Sequence, residues 1–203
     1  MRKVFLGFFV FFLLFSSLAD AGEKQWYFNF GVYPGIIFAP DVNGFTAERT
    51  SGSWLYTETI EGAVGFALGA YVGVDYDTNK SGVGIDVFGS RLISDAITGS
   101  ISGVNVSYIF PHAEKSTFLA RIKGGVVKGS LEWEGEYTEV EFKDASGWQG
   151  GMAFEVGRNV GVYGEALYRD LKFDVDTARS DTTNRTTMDL SGVVVNMGVR
   201  FRF

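Results

Sequence analysis

Chemistry has few places to reside in this chain. There is one histidine, His112, and no cysteine. Hydrolysis by a serine needs a nucleophile with an adjacent base. The nearest downstream serine is Ser116, in the same turn-like segment that opens Pro111-His112. A histidine in such a turn is ordinarily a solvated turn residue, so the chain is read as non-enzymatic. No group of His, Asp or Glu has the spacing of a metal site, and no cofactor is expected. The charges that could work together are instead spaced by twos along alternating segments: Asp75, Asp86, Arg121, Lys123, Glu155, Glu165, Arg169, Arg200 and Arg202.

In a strand, residues two apart share a face. Each of these charges lies between apolar residues of the opposite phase, so four acids and five bases would point into one interior. Two kinds of chemistry are open to them. They form an ion network that plugs the interior, since buried charges persist when paired. Alternatively they line a narrow pore, for which the small row Gly65, Ala67, Gly69 leaves space.

A second charged stretch carries Glu132, Glu134, Glu136, Glu139 and Glu141 around Trp133, Tyr137 and Phe142. Its alternation continues the flanking segments, so it reads as a projecting hairpin. It is a solvated acidic face, or a site where divalent cations bridge to lipopolysaccharide phosphates, or an edge for a protein partner. Arg91 and Lys172 would instead meet such phosphates directly. The polar segment with Arg179, Asp181, Asn184 and Arg185 reads as mobile.

The elements that must position these residues are strands. The alternation is clearest at the end: Val193, Val195, Met197, Val199, Phe201 and Phe203 on one face, Asn196, Gly198, Arg200 and Arg202 on the other. Similar segments run over about 25–38, 60–76, 82–92, 100–110, 117–131, 147–157, 160–172 and 190–203, which makes eight strands. Pro34 suggests a bulge in the first, since proline cannot donate to a ladder. The small inner row of the second leaves room for large side chains from across the interior. Trp54-Leu55-Tyr56-Thr57 alternates weakly and leaves ten strands open. Three connections are long (about 39–59, 132–146 and 173–187), and those between them are short.

The N-terminus fixes the compartment. Arg2 and Lys3 precede an apolar run from Val4 to Phe15, and Ala19-Asp20-Ala21 forms an A-x-A cleavage site. The run is short for a spanning helix, which needs about 20 residues. The expected division is a signal peptide, 1–21, and one domain, 22–203. Removing Arg2, Lys3 and Asp20 from 18 basic and 24 acidic residues leaves 16 and 23, a net charge of −7. That balance argues against nucleic-acid binding. Without cysteine there is neither a disulfide nor a lipoprotein anchor.

Together these features predict an all-β, transmembrane, antiparallel up-and-down barrel of eight strands in a bacterial outer membrane. Lipid lies on its apolar face and a polar interior on the other. An even strand number puts both termini in the periplasm. Trp26, Phe28, Tyr76, Tyr108, Phe110, Phe118, Phe201 and Phe203 would then form the periplasmic girdle, and Phe38, Phe66, Trp148 and Tyr168 the outer one.

The final octet, with Asn196, Gly198, Phe201 and Phe203 at its marked positions, resembles the C-terminal assembly signal of outer-membrane proteins. The resemblance implies recognition by the barrel assembly machinery. The domain as a whole resembles the small eight-stranded barrels of the OmpX, OmpA-barrel and opacity-protein kind. No peptidoglycan-binding domain like that of full-length OmpA-type proteins is expected after it. The expected function is surface interaction or envelope integrity through the external loops, with membrane lipid and lipopolysaccharide as partners. A narrow pore is the second reading and a lipid-modifying enzyme the third.

Overall fold

The computed structural model describes residues 25–60, 64–78, 81–93, 97–111, 116–177 and 181–203. The signal-peptide segment 1–21 and His112 lie outside the described residues. Eight long strands follow the alternating segments: β1 Gln25–Phe38, β2 Val64–Asp77, β3 Gly82–Ile93, β4 Ile97–Ile109, β5 Phe118–Glu134, β6 Ala145–Gly157, β7 Val160–Asp170 and β8 Gly192–Arg202. Each pairs antiparallel with its neighbours in the chain, and β8 returns to β1, with Val32 opposite Val199 and Phe38 opposite Val193. Closure is what hydrocarbon requires, because an unpaired backbone group there costs several kcal/mol.

Alternation sets the register. A one-residue slip would turn every outward side chain inward. One ladder row shows the consequence: Phe30, Val72, Val87, Val104, Val126 and Trp148 are successive partners across six strands, and all lie on the outer face. Val72 and Val126 are 58% and 65% exposed, which in this fold means contact with lipid. The outer wall is therefore apolar by construction, and the interior receives the charges.

Four local expectations are corrected. Pro34 makes no bulge: β1 keeps one register against β2 through the Pro34–Leu68 pair, and the same register against β8 on either side of it. The small inner residues of β2 make room for the adjacent strand rather than the far wall. Tyr33 pairs with Gly69 and Gly31 with Tyr71, and a Cβ on Gly69 would lie 2.6 Å from the Tyr33 ring. Tyr76 has the outward phase but is covered, its ring 4.8 Å from that of Trp26. The weak alternation around Trp54 does not enter the barrel: Thr46–Ser51 and Trp54–Thr59 pair with each other, and Thr182–Thr183 adds to the former.

Candidate functional site

The barrel interior has two layers. Nearer the end with the short turns it is charged. Arg121, on β5, forks onto Asp75 of β2, with Nη1 and Nη2 each 3.0 Å from a carboxylate oxygen. The same Nη2 lies 2.7 Å from Glu155 of β6. Glu155 in turn stands 3.0 Å from Arg200 Nη1 of β8, an ion-pair distance whose angle falls short of a hydrogen bond. Arg200 also donates through Nη2 to the carbonyls of Gly157 and Arg158, so it ties the β6–β7 turn to the chain of charges. A planar guanidinium suits this work, since it serves two carboxylates at fixed angles.

A second chain runs alongside. Lys123 Nζ lies 3.1 Å from Asp86 of β3 and 3.0 Å from Glu165 of β7. It packs 5.6 and 5.5 Å from the ring centres of Tyr71 and Tyr163, within cation–π range. Glu165 also accepts from Tyr163 Oη and from Asn196 Nδ2. Asp86 accepts from Asn105, Asn105 from Gln149, and the Gln149 carbonyl from Nε and Nη2 of Arg169.

Every charged residue expected inside is therefore inside, and the structure brings all of them together, with two differences. Arg169 meets an amide, Gln149, rather than a carboxylate. Asp77, which the sequence places in a turn, joins the network by pairing with Arg202 at 3.3 Å. Arg202 also lies over the Tyr27 ring, 3.7 Å from its centre. Asp77 continues the alternation of Tyr71, Gly73 and Asp75 by one more step, which is the signal that identifies it. Of the residues of the assembly signal, Asn196 and Gly198 face the interior and Phe201 the wall. Phe203 exchanges backbone hydrogen bonds with Phe28, N to O at 2.9 and 3.0 Å.

Toward the long-loop end the interior turns apolar. Ile37, Ala67, Leu92, Ile101, Val127 and Val194 are buried there. Their cluster continues without a break into the loops, through Leu131, Trp133, Phe45, Val140, Phe173 and Met188. Phe45, Val140, Phe173 and Met188 have no exposed surface. Phe45 meets Trp133 edge-on at 5.8 Å and Phe142 at 5.9 Å. The Glu-rich stretch is a hairpin, as its alternation requires: Glu139–Glu141 pairs back onto β5, with Glu132 opposite Glu141. Its glutamates at 132, 134 and 139 face solvent while Trp133 and Val140 cap the interior.

Polar contacts lock the three long loops together. Glu58 accepts the backbone N–H groups of Glu136, Tyr137 and Thr138 at 2.7, 3.1 and 3.1 Å, and the Thr138 hydroxyl. Partial burial pushes its carboxyl up, but these hydrogen bonds outweigh that and hold it below the ordinary carboxylate value. Tyr56 stacks on Tyr137 with ring centres 4.7 Å apart. Asn184 accepts from Thr46 N and donates to Gly44 O, and Arg185 donates to Asp41 O. The segment read as mobile is thus tied to the first loop at Asn184 and Arg185; Arg179 lies outside the described residues. Ser116, the serine near His112, is engaged in a local turn with Phe118. Among the described residues, no three His, Asp or Glu side chains gather to hold a metal ion.

No family model and no curated protein matches the sequence. The structure is similar to that of the outer membrane protein OprG from Pseudomonas aeruginosa: TM-score 0.54, 14% identity, over 90% of this chain and 98% of that one. It is also similar to the N-terminal β-barrel domain of Pseudomonas aeruginosa OprF: TM-score 0.55, 9% identity, over 89% and 100%. The fold is that of the small outer-membrane β-barrels. At such identities the likeness concerns architecture, and the function rests on this chain's own residues.

Proposed function

We propose that the chain is a non-enzymatic outer-membrane scaffold whose work is done by its exterior and its loop cap, in surface interaction or envelope integrity. The long-loop end faces outside and both termini face the periplasm, as short periplasmic turns and longer external loops imply. Residues 1–21 are removed as a signal peptide, and the barrel assembly machinery reads the final strand.

The observation that carries this reading is the filled interior. A solute would have to pass the Asp75–Arg121–Glu155–Arg200 chain and then the apolar layer capped by Phe45 and Trp133. An eight-stranded barrel has an interior just wide enough for its own side chains. Buried ion pairs of this kind are a weak source of stability but costly to break, which suits a seal.

Complementation separates scaffold from pore. In cells lacking the chain, variants neutralised in the interior should restore detergent resistance or surface binding if they fold. A variant with residues 46–59 replaced by a short Gly-Ser link should insert but fail to restore it. The opposite pattern would place the function in the interior.

A further inference from the structure

The outer wall is not uniform around the barrel. On β2 the outward residues stay apolar to the long-loop end: Leu68, Phe66 and Val64. On β3 to β5 the continuous apolar surface stops in the row of Val72, at Val87, Val104 and Val126, four outward rows short of Val64, and only Ile93 is apolar beyond it. The next row is Gly89, Ser102 and Lys128, followed by Arg91, Ser100 and Ser130, then Ile93, Thr98 and Glu132. From Phe110 to Ser100 is ten residues, about 23 Å of height at the usual strand rise and tilt. The hydroxyls and cations therefore stand where the hydrocarbon ends, at headgroup depth.

Two hollows meet there. One, of about 310 Å³, has a mixed lining, in which Gly99 and Leu131 stand among Arg91, Thr98, Ser100, Ser130 and Glu132. The Ser100 and Ser130 hydroxyls in its lining lie 2.9 Å apart. The other, of about 450 Å³, is an apolar trough lined by Val32, Leu68, Ala70 and Gly89. A Cβ on Gly89 would meet nothing within 4 Å, so the trough is open there to lipid. Arg91 lines both. Among the described residues neither Arg91 nor Lys128 makes an ion pair, although cations at the lipid surface gain most when matched to an anion.

We propose that this paired hollow is a binding site for one phosphorylated, acylated sugar lipid of the outer leaflet. Arg91, which lines both hollows, takes a phosphate, and Lys128, outside both linings and one outward ladder row below Ser130, adds its charge from the side. The Ser100, Ser130 and Thr98 hydroxyls and the Glu132 carboxylate take sugar hydroxyls, and the Gly89 trough takes an acyl chain. Serine pairs and a carboxylate favour a sugar over a small zwitterionic headgroup, which offers them few hydroxyls. The proposal rests on the reading that the long-loop end faces outside.

The test uses the refolded full barrel in detergent, mixed with purified lipid A, its dephosphorylated form or phosphatidylglycerol, and native mass spectrometry of the retained lipid. Lipid A should be retained, and the other two about tenfold less, the value of one charge-assisted contact set. R91Q/K128Q should lose the preference while the K143Q/K172Q control keeps it, because Lys172, expected from the sequence to meet phosphates, is instead paired with Asp189 at 2.9 Å. G89L, which fills the trough without touching a charge, should weaken retention while leaving the fold intact by circular dichroism. Equal retention of all three lipids, or a preference unchanged by R91Q/K128Q, would overturn the site. Either result leaves complementation by loop variants unaffected, so it is distinct from failure of the scaffold reading.

Discussion

At the scale of single residues, Glu155 is the most constrained. It stands between two guanidinium groups, Arg121 at 2.7 Å and Arg200 at 3.0 Å, and is 2% exposed. Its removal leaves two buried cations short of a counter-charge, a loss of about 3–5 kcal/mol for broken buried pairs. Glu155→Gln should therefore unfold at markedly lower urea in lipid vesicles, while Glu134→Gln, on the exposed hairpin, should not. Equal midpoints would show that the interior charges do not depend on one another. Glu58 makes a milder prediction. Its folded-state carboxyl lies below the ordinary value of 4.5, so the clamp contributes fully above that range and is lost as pH falls through the lower, folded value. Glu58→Ala should weaken the cap by about 1 kcal/mol, a small figure because solvent screens the site. Limited proteolysis near Tyr137 should quicken in the variant at neutral pH and in the native chain only in acid. The charges at 121, 155, 165 and 200 were legible in the sequence because alternation fixes their side. Their partners were not, because pairing depends on registers between strands that a sequence does not state. Arg169 with Gln149 is the example: its alternation groups it with interior acids, but in space it meets an amide.

At the scale of elements, the strands were the most legible part. β1 runs from Gln25 to Phe38, the span its alternation requires. Errors concentrate at the long-loop ends. There β5 continues to Glu134 and carries its alternation into the cap, where burial rather than lipid selects the residues. Of the loops, the Glu-rich hairpin was legible from its alternation; the other two were legible only as long and polar. Phe45 is an isolated apolar residue in its segment, whereas Phe173 and Met188 belong to short alternations (Leu171, Phe173, Val175 and Met188, Leu190); all become a core only when three loops converge. The wall offers a sharp test of what surrounds it. Val72 lies outward near the middle of β2 and is 58% exposed. A valine exposed to water would tolerate arginine, whereas a valine in hydrocarbon would not. Val72→Arg should cost about 2–4 kcal/mol in lipid vesicles, measured by urea titration; an unchanged midpoint would contradict a lipid-facing wall. The closing pair is equally exposed to test. Since Phe203 and Phe28 exchange two backbone hydrogen bonds at the seam, deleting Phe203 should slow assembly, seen as loss of the heat-modifiable folded band on gels.

At the scale of the molecule, charge and apolar surface are sorted in three directions at once. The wall is apolar, the inner end of the lumen is charged, and the outer end is apolar again and continuous with the loops. A water-filled channel would need polar residues through the whole interior. The chain instead places Trp133 and Phe45 in contact across the mouth, 5.8 Å between ring centres. The central claim is thus that the barrel is shut. Single-channel recording of the refolded protein, without residues 1–21, in a planar bilayer tests it most directly. Silence is expected from protein whose folding is verified in the same preparation, in the native chain and in one lacking the 46–59 hairpin alike, because the charged layer seals the lumen on its own. Steady conductance that shifts when Arg121 or Glu165 is neutralised would contradict it and make the interior the functional path.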